Sequence, residues 1–66
     1  MNAQATRAAL AQLSPQHRAV LTLKYLDGLP VSDIAALLDR SAAGVEALLT
    51  RAKSSFRENY QQEDGS

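Results

Sequence analysis

The stretch "LLDRSAAGVEALLTRAK", residues 37–53, decides how this chain folds. Asp39 and Arg40 interrupt an apolar run, and polar residues between two periodic segments favour a tight connection. Ser41 follows, and serine is among the residues that most often cap the start of a helix. The stretch therefore predicts that one helix ends near Leu38 and that a longer helix begins after Ser41.

The segment after Ser41 has the apolar spacing of a helix that buries one side. Apolar residues at i, i+4, i+7 and i+11 fall on one face: Val45, Leu49, Ala52 and Phe56. The opposite face is predicted to carry small and polar residues: Ala43, Ala47, Thr50, Ser54 and Arg57. This helix is expected to extend to about residue 59, and residues 61–66 are expected to form a disordered tail.

Three shorter helices are predicted before it. The first covers about residues 3–13 and has a thin apolar stripe. The second begins with Ser14 as its cap and Pro15 at its first position, and Gly28 ends it. Its apolar contacts are expected from Val20, Leu21, Leu23 and Leu26. The third covers about residues 30–38, and three of its residues are expected to form the buried side: Ile34, Leu37 and Leu38.

Length and composition are those of one small domain, which we assign to residues 1–60. Hydrophobic residues make up 45% of the chain and aromatic residues only 5%, which favours helices over sheets. We therefore expect an all-α fold of four helices. The chain has no Cys and one His, so neither a metal nor another cofactor is expected. No apolar run has the length of a signal peptide or membrane span, which predicts a cytoplasmic location without membrane contact.

The formal net charge of +0 hides an uneven distribution of charge. Residues 40–57 contain four cations and one acid, a net charge of +3, whereas the remainder of the chain carries −3. A neutral chain argues against strong non-specific binding to DNA. A local excess of cations nevertheless favours contact with phosphates at this segment.

A short helix, a tight turn and a longer helix with a small-residue outer face form the helix-turn-helix pattern. The chain also resembles region four of a bacterial sigma factor of the extracytoplasmic-function type. Three segments carry the resemblance: "LSPQHRAVLTLKYLDGL" (13–29), "IAALL" (34–38) and "VEALLTRAK" (45–53). Their order and spacing are more specific than any one segment, and the resemblance covers residues 13–56.

The resemblance implies that the domain recognises the minus-thirty-five element of promoter DNA in transcription initiation. It implies three partners: double-stranded promoter DNA, the flap of the RNA polymerase core, and an anti-sigma protein. Arg51 matches a position at which the family keeps an arginine close to the DNA. The residues expected to contact phosphates are Ser32, Arg40, Ser41, Arg51 and Lys53. The residues expected to face base edges are Ala43, Gly44, Glu46, Ala47 and Thr50.

Five positions depart from the usual pattern of the family. Pro30 removes a side-chain cap from the third helix, Asp39 stands where glycine is common, and Gly44 stands where threonine is common. Glu46 and Leu48 stand where basic residues are common. In a groove, a glutamate can accept a hydrogen bond from a cytosine amino group, but near phosphates it is repelled. Both interpretations of Glu46 stay open at this point.

The same departures favour a second function, in which this fold binds an anti-sigma protein or the polymerase flap and has little DNA affinity. Apolar residues expected to line such a docking groove are Leu29, Val31, Leu37, Leu38 and Leu48. A helix-turn-helix of the response-regulator type is a third option, and the segment "LSPQHRAVL" would suit it. An enzyme is not expected, because Ser14 and His17 have no carboxylate or oxyanion loop placed beside them by the sequence.

Overall fold

Four α-helices and one π-helix make up most of residues 2–63, the part of the chain described by the computed structural model. The elements in chain order are α1 (Ala3–Ala11), α2 (Pro15–Leu21), a π-helix (Thr22–Leu26), α3 (Val31–Leu38) and α4 (Ala42–Glu63). No strand occurs among the described residues. The prediction of an all-α domain with a helix-turn-helix is therefore confirmed.

The start of α2 follows the prediction. Pro15 occupies the first helical position, and the Ser14 hydroxyl accepts a hydrogen bond from the His17 backbone N–H at 3.3 Å. This bond satisfies one of the N–H groups that have no partner within the helix. Ser14 is therefore the cap that the sequence predicts.

The end of the second helical segment differs from the prediction, because residues 22–26 form a π-helix. The Asp27 N–H donates to the Thr22 carbonyl at 3.0 Å, five residues back, where an α-helix bonds four residues back. More residues per turn shift the following side chains away from α-helical periodicity. Leu26, predicted to pack inward, is therefore 75% exposed. Gly28 then ends the segment in the left-handed conformation, with φ +71°.

The core lies where α2, α3 and α4 meet. Each helix contributes one fully buried β-branched side chain, and these are Val20, Ile34 and Val45. They belong to one cluster with six other buried residues: Leu13, Leu21, Ala35, Leu48, Leu49 and Ala52. Leu37 was expected on the buried side of α3 but is 64% exposed. It follows Ile34 by three residues, and the buried stripe of this short helix is too narrow to include both.

The first helix packs along the C-terminal half of α4. Ala5 and Ala9 are buried there, and their small side chains let the two helices approach closely. The Asn59 amide donates to the Ala9 carbonyl at 3.2 Å, and the Asn2 N–H donates to the Tyr60 hydroxyl at 2.9 Å. These two bonds fasten both ends of α1 to α4.

The last helix is longer than the sequence predicts. It includes residues 61–63, which were assigned to the tail, and residues 64–66 of that tail lie outside the described part of the chain. None of the helices within residues 2–63 has the length and apolar character needed to cross a membrane.

Candidate nucleic-acid interface

The turn between α3 and α4 sets the direction of both helices. Asp39 has φ 56° and ψ 50°, the left-handed conformation that glycine adopts most easily. The Arg40 N–H donates to the Ala35 carbonyl at 2.9 Å, which is the six-to-one bond of a Schellman-type helix end. At the other end of α3, Pro30 makes no side-chain cap, as its residue type predicts. The turn between α3 and α4 is thus closed by a backbone bond, from the Arg40 N–H to the Ala35 carbonyl.

Ser41 caps α4. Its hydroxyl accepts from the Gly44 N–H at 3.0 Å, and its carbonyl accepts from the Val45 N–H at 3.0 Å. A Cβ atom at Gly44 would lie 3.2 Å from the Ser41 hydroxyl oxygen, closer than most such contacts. Glycine at this position therefore leaves room for the capping hydroxyl, which compensates in part for its low helix propensity.

Replacing Ser41 with alanine is expected to lower the free energy of unfolding by about 1 kcal/mol, because the Gly44 N–H loses its acceptor. Urea unfolding followed by circular dichroism measures the change. Ser54→Ala is the matched control, since Ser54 is exposed within the same helix. Alanine there is expected to match or slightly exceed the wild-type stability. Equal losses in both variants would contradict the capping role of Ser41.

The outer face of the first half of α4 is exposed and carries small side chains. Its exposed members are Ala43, Glu46, Ala47 and Thr50, and Gly44 beside them is half-buried. The Thr50 hydroxyl donates to the Glu46 backbone carbonyl at 3.0 Å, one turn back. The hydroxyl proton of Thr50 is thus bonded within the helix. The Thr50 methyl group is the end of the side chain that this bond leaves free.

Two arginines flank this face. Arg40 lies in the turn and Arg51 lies on α4, one turn after Ala47, and both are exposed. Among residues 2–63, neither guanidinium has an ion-pairing or hydrogen-bonding partner. An arginine on a helix surface commonly pairs with a nearby acid, but no such pair holds Arg51 here. Ser32, near the start of α3, is also exposed. These side chains are free to bind phosphates.

A family model described as Sigma-70, region 4, matches residues 3–55. The chain belongs to this family. Region 4 is a DNA-binding domain that recognises promoters in transcription initiation, and the family is not one of enzymes. Comparison with curated proteins and with solved structures gave no match.

Within the region 4 domain, Lys53 makes a contact that the sequence does not predict. Its Nζ lies 5.6 Å from the centroid of the Tyr25 ring, which is within the range of a cation–π contact. Lys53 is exposed and lies three residues after Thr50, a spacing at which residues of a helix are neighbours. Its predicted contact with phosphates stays a prediction.

An apolar groove beside Lys53 was not anticipated from the sequence. It has a volume of about 520 Å³ and lies between α1, the π-helix and the C-terminal half of α4. Its lining residues are Thr6, Leu10, Leu21, Thr22, Tyr25, Leu26, Lys53, Phe56, Arg57 and Tyr60. Tyr25 is 56% exposed, so both it and Leu26 present apolar surface at the groove. The two cations are the only charged residues in this lining.

The docking groove expected from the sequence does not form. Leu48 is buried in the core, and Leu29, Val31 and Leu38 are half-buried against it. Leu37 alone of that set is strongly exposed. The sequence carried one signal for the groove beside Lys53, because the spacing of Phe56 and Tyr60 puts two aromatic rings on the same side of α4. Their ring centroids lie 5.9 Å apart.

Proposed function

We propose that this domain recognises the minus-thirty-five element of a promoter by inserting the first half of α4 into the major groove. The observation that carries the proposal is the exposed face of small side chains after the closed turn, flanked by Arg40 and Arg51. Small side chains let a helix approach the base edges closely, and arginines at the flanks bind the phosphates on either side.

The residues divide into two roles. Ser32, Arg40, Ser41 and Arg51 contact phosphates, and the free N–H groups at the start of α4 add to that contact. Five residues face the base edges: Ala43, Gly44, Glu46, Ala47 and Thr50. Because this face offers few polar atoms, part of the selectivity comes from groove width and DNA deformability. A net charge of +0 makes the affinity of the isolated domain low. Binding through phosphate contacts makes that affinity depend on salt.

An amide chemical-shift titration with promoter-like duplexes tests the proposal. The labelled chain is titrated at low salt and again at moderate salt. Shifts are expected at Ser32 and across residues 40–51, and they should fade as salt rises. Amides of α1 serve as the internal control, because that helix packs at the other end of α4. Absence of shifts at low salt would reject DNA recognition by this domain.

We also propose a second function, binding of an apolar helix from the RNA polymerase flap or an anti-sigma protein in the groove beside Lys53. The exposed Tyr25 and Leu26 support it, since a groove lined by aromatic and leucine side chains suits the apolar face of a helix. Lys53 and Arg57 at the groove suit a helix that carries acidic residues beside its apolar face.

Replacing Leu26 with serine is expected to weaken binding to RNA polymerase core about tenfold or more, because burying one leucine side chain contributes about 1.5–3 kcal/mol. Anisotropy of the labelled chain measures the affinity. Leu37→Ser is the matched control, since this leucine is 64% exposed but does not line the groove. It should leave the affinity unchanged. Equal effects of the two substitutions would argue against the groove as the docking site.

A further inference from the structure

Glu46 and Thr50 lie one turn apart on the outer face of α4. Both are exposed, and the Thr50 hydroxyl donates to the Glu46 carbonyl at 3.0 Å. Because this bond turns the hydroxyl toward the helix backbone, the Thr50 methyl group is the free end of the side chain. In the major groove, thymine alone presents a methyl group at its base edge. Thr50 is therefore suited to a thymine.

The Glu46 carboxylate is charged, whereas the Thr50 methyl group is apolar. It is exposed and has no hydrogen-bonding or ion-pairing partner among residues 2–63. A carboxylate only accepts hydrogen bonds, so guanine, which presents two acceptors in the major groove, repels it. Cytosine itself presents an amino donor and no acceptor at its major-groove edge. Of the four bases, cytosine is the best match for Glu46.

The spacing of the two residues fixes the spacing of the two bases. Recognition helices that contact successive bases do so with residues three positions apart in zinc fingers, so about three to four residues correspond to one base pair. Glu46 and Thr50 are four residues apart and on the same side of α4. Their side chains therefore reach adjacent base pairs.

We infer that Glu46 and Thr50 determine sequence specificity by reading a cytosine directly adjacent to a thymine in the promoter element. The inference rests on the proposed DNA recognition and adds the bases to it. Glu46 accepts from the cytosine amino group, and the Thr50 methyl packs against the thymine methyl. At the groove floor Glu46 faces base edges and not phosphates, so it is not repelled. Arg40 and Arg51 contact the phosphates instead.

The experiment begins with duplexes randomised over one helical turn, from which the chain selects its preferred sequences at low salt. Enrichment of a cytosine–thymine step is expected. Uracil then replaces the thymine, which removes only the methyl group. The wild-type chain should bind the uracil duplex about fourfold more weakly, the effect of losing one buried methyl. Changing the cytosine to thymine should weaken binding about tenfold, as for a hydrogen bond to a charged group.

Two variants of Thr50 assign the methyl contact. Thr50→Val keeps the methyl and removes the hydroxyl, and it should retain the preference for thymine over uracil. Thr50→Ser keeps the hydroxyl and removes the methyl, and it should bind both duplexes equally. Glu46→Gln should lose the preference for cytosine even if its overall affinity rises with the loss of a negative charge.

The outcomes separate this inference from the function on which it rests. Selective binding without a cytosine–thymine step, or equal binding of thymine and uracil duplexes by the wild-type chain, would overturn the inference and leave DNA recognition intact. A retained preference for thymine in Thr50→Ser would also overturn it. If no duplex is bound at low salt, the proposed DNA recognition fails and the inference fails with it.

Discussion

Replacing Ile34 with alanine is expected to lower the free energy of unfolding by about 2–5 kcal/mol. Ile34 is fully buried, and α3 has no side-chain cap that would help to hold it in place. The substitution removes buried carbon atoms and leaves a cavity where α2, α3 and α4 meet. A chain of this length has a total stability of only about 3–10 kcal/mol, so the loss is a large part of the whole.

Urea unfolding followed by circular dichroism measures this loss, and Ile34→Val provides a milder version at about 0.5–1.5 kcal/mol. That variant keeps the measurement informative if the alanine variant is already unfolded. Leu37→Ala is the matched control, because Leu37 lies on the same helix but is 64% exposed. It should change stability by less than about 0.5 kcal/mol. A loss at Leu37 as large as that at Ile34 would contradict the orientation of α3.

Replacing Arg51 with alanine is expected to weaken binding of a promoter duplex about tenfold or more. Arg51 is exposed and has no partner among residues 2–63, so its guanidinium loses no internal bond when it contacts a phosphate. Because one phosphate contact is removed, the slope of the logarithm of affinity against the logarithm of salt should fall in magnitude by about 0.9.

Fluorescence anisotropy at several salt concentrations gives both the affinity and the slope. Arg7→Ala removes the same charge from an exposed position on α1, away from the first half of α4. It should change neither quantity appreciably. If Arg51→Ala leaves the slope unchanged while Arg7→Ala lowers it, the DNA-binding surface lies elsewhere on the domain.

Local signals in the sequence were sufficient to predict where most helices begin and end. Ser14 and Ser41 cap their helices, and Gly28 and Asp39 end theirs in the left-handed conformation. Each of these effects acts over a few residues and needs no distant contact. The cap at Asn2 was missed, although its side chain accepts from two backbone N–H groups of α1.

The candidate DNA-binding face was also predictable in large part, because α-helical periodicity separates the buried and exposed sides of α4. Eight of the ten predicted site residues lie in the turn before α4 or on its first half, and none of them is buried: Arg40, Ser41, Ala43, Gly44, Glu46, Ala47, Thr50 and Arg51. Ser32 is exposed near the start of α3. Lys53 is also exposed on α4, and its side chain contacts Tyr25, a residue of the π-helix. Charge alone could not reveal this contact.

Short-range patterns in the sequence were sufficient to predict the four α-helices, the caps at Ser14 and Ser41 and the buried face of α4, and the sequence matches the sigma-70 region 4 family. Which apolar residues remain uncovered depends on contacts between helices. Leu26 is exposed because a π-helix displaces it, and it joins residues of α1 and α4 in a groove that neither helix forms alone. Periodicity shows which side of a helix is apolar, but coverage of that side depends on how closely its neighbours pack.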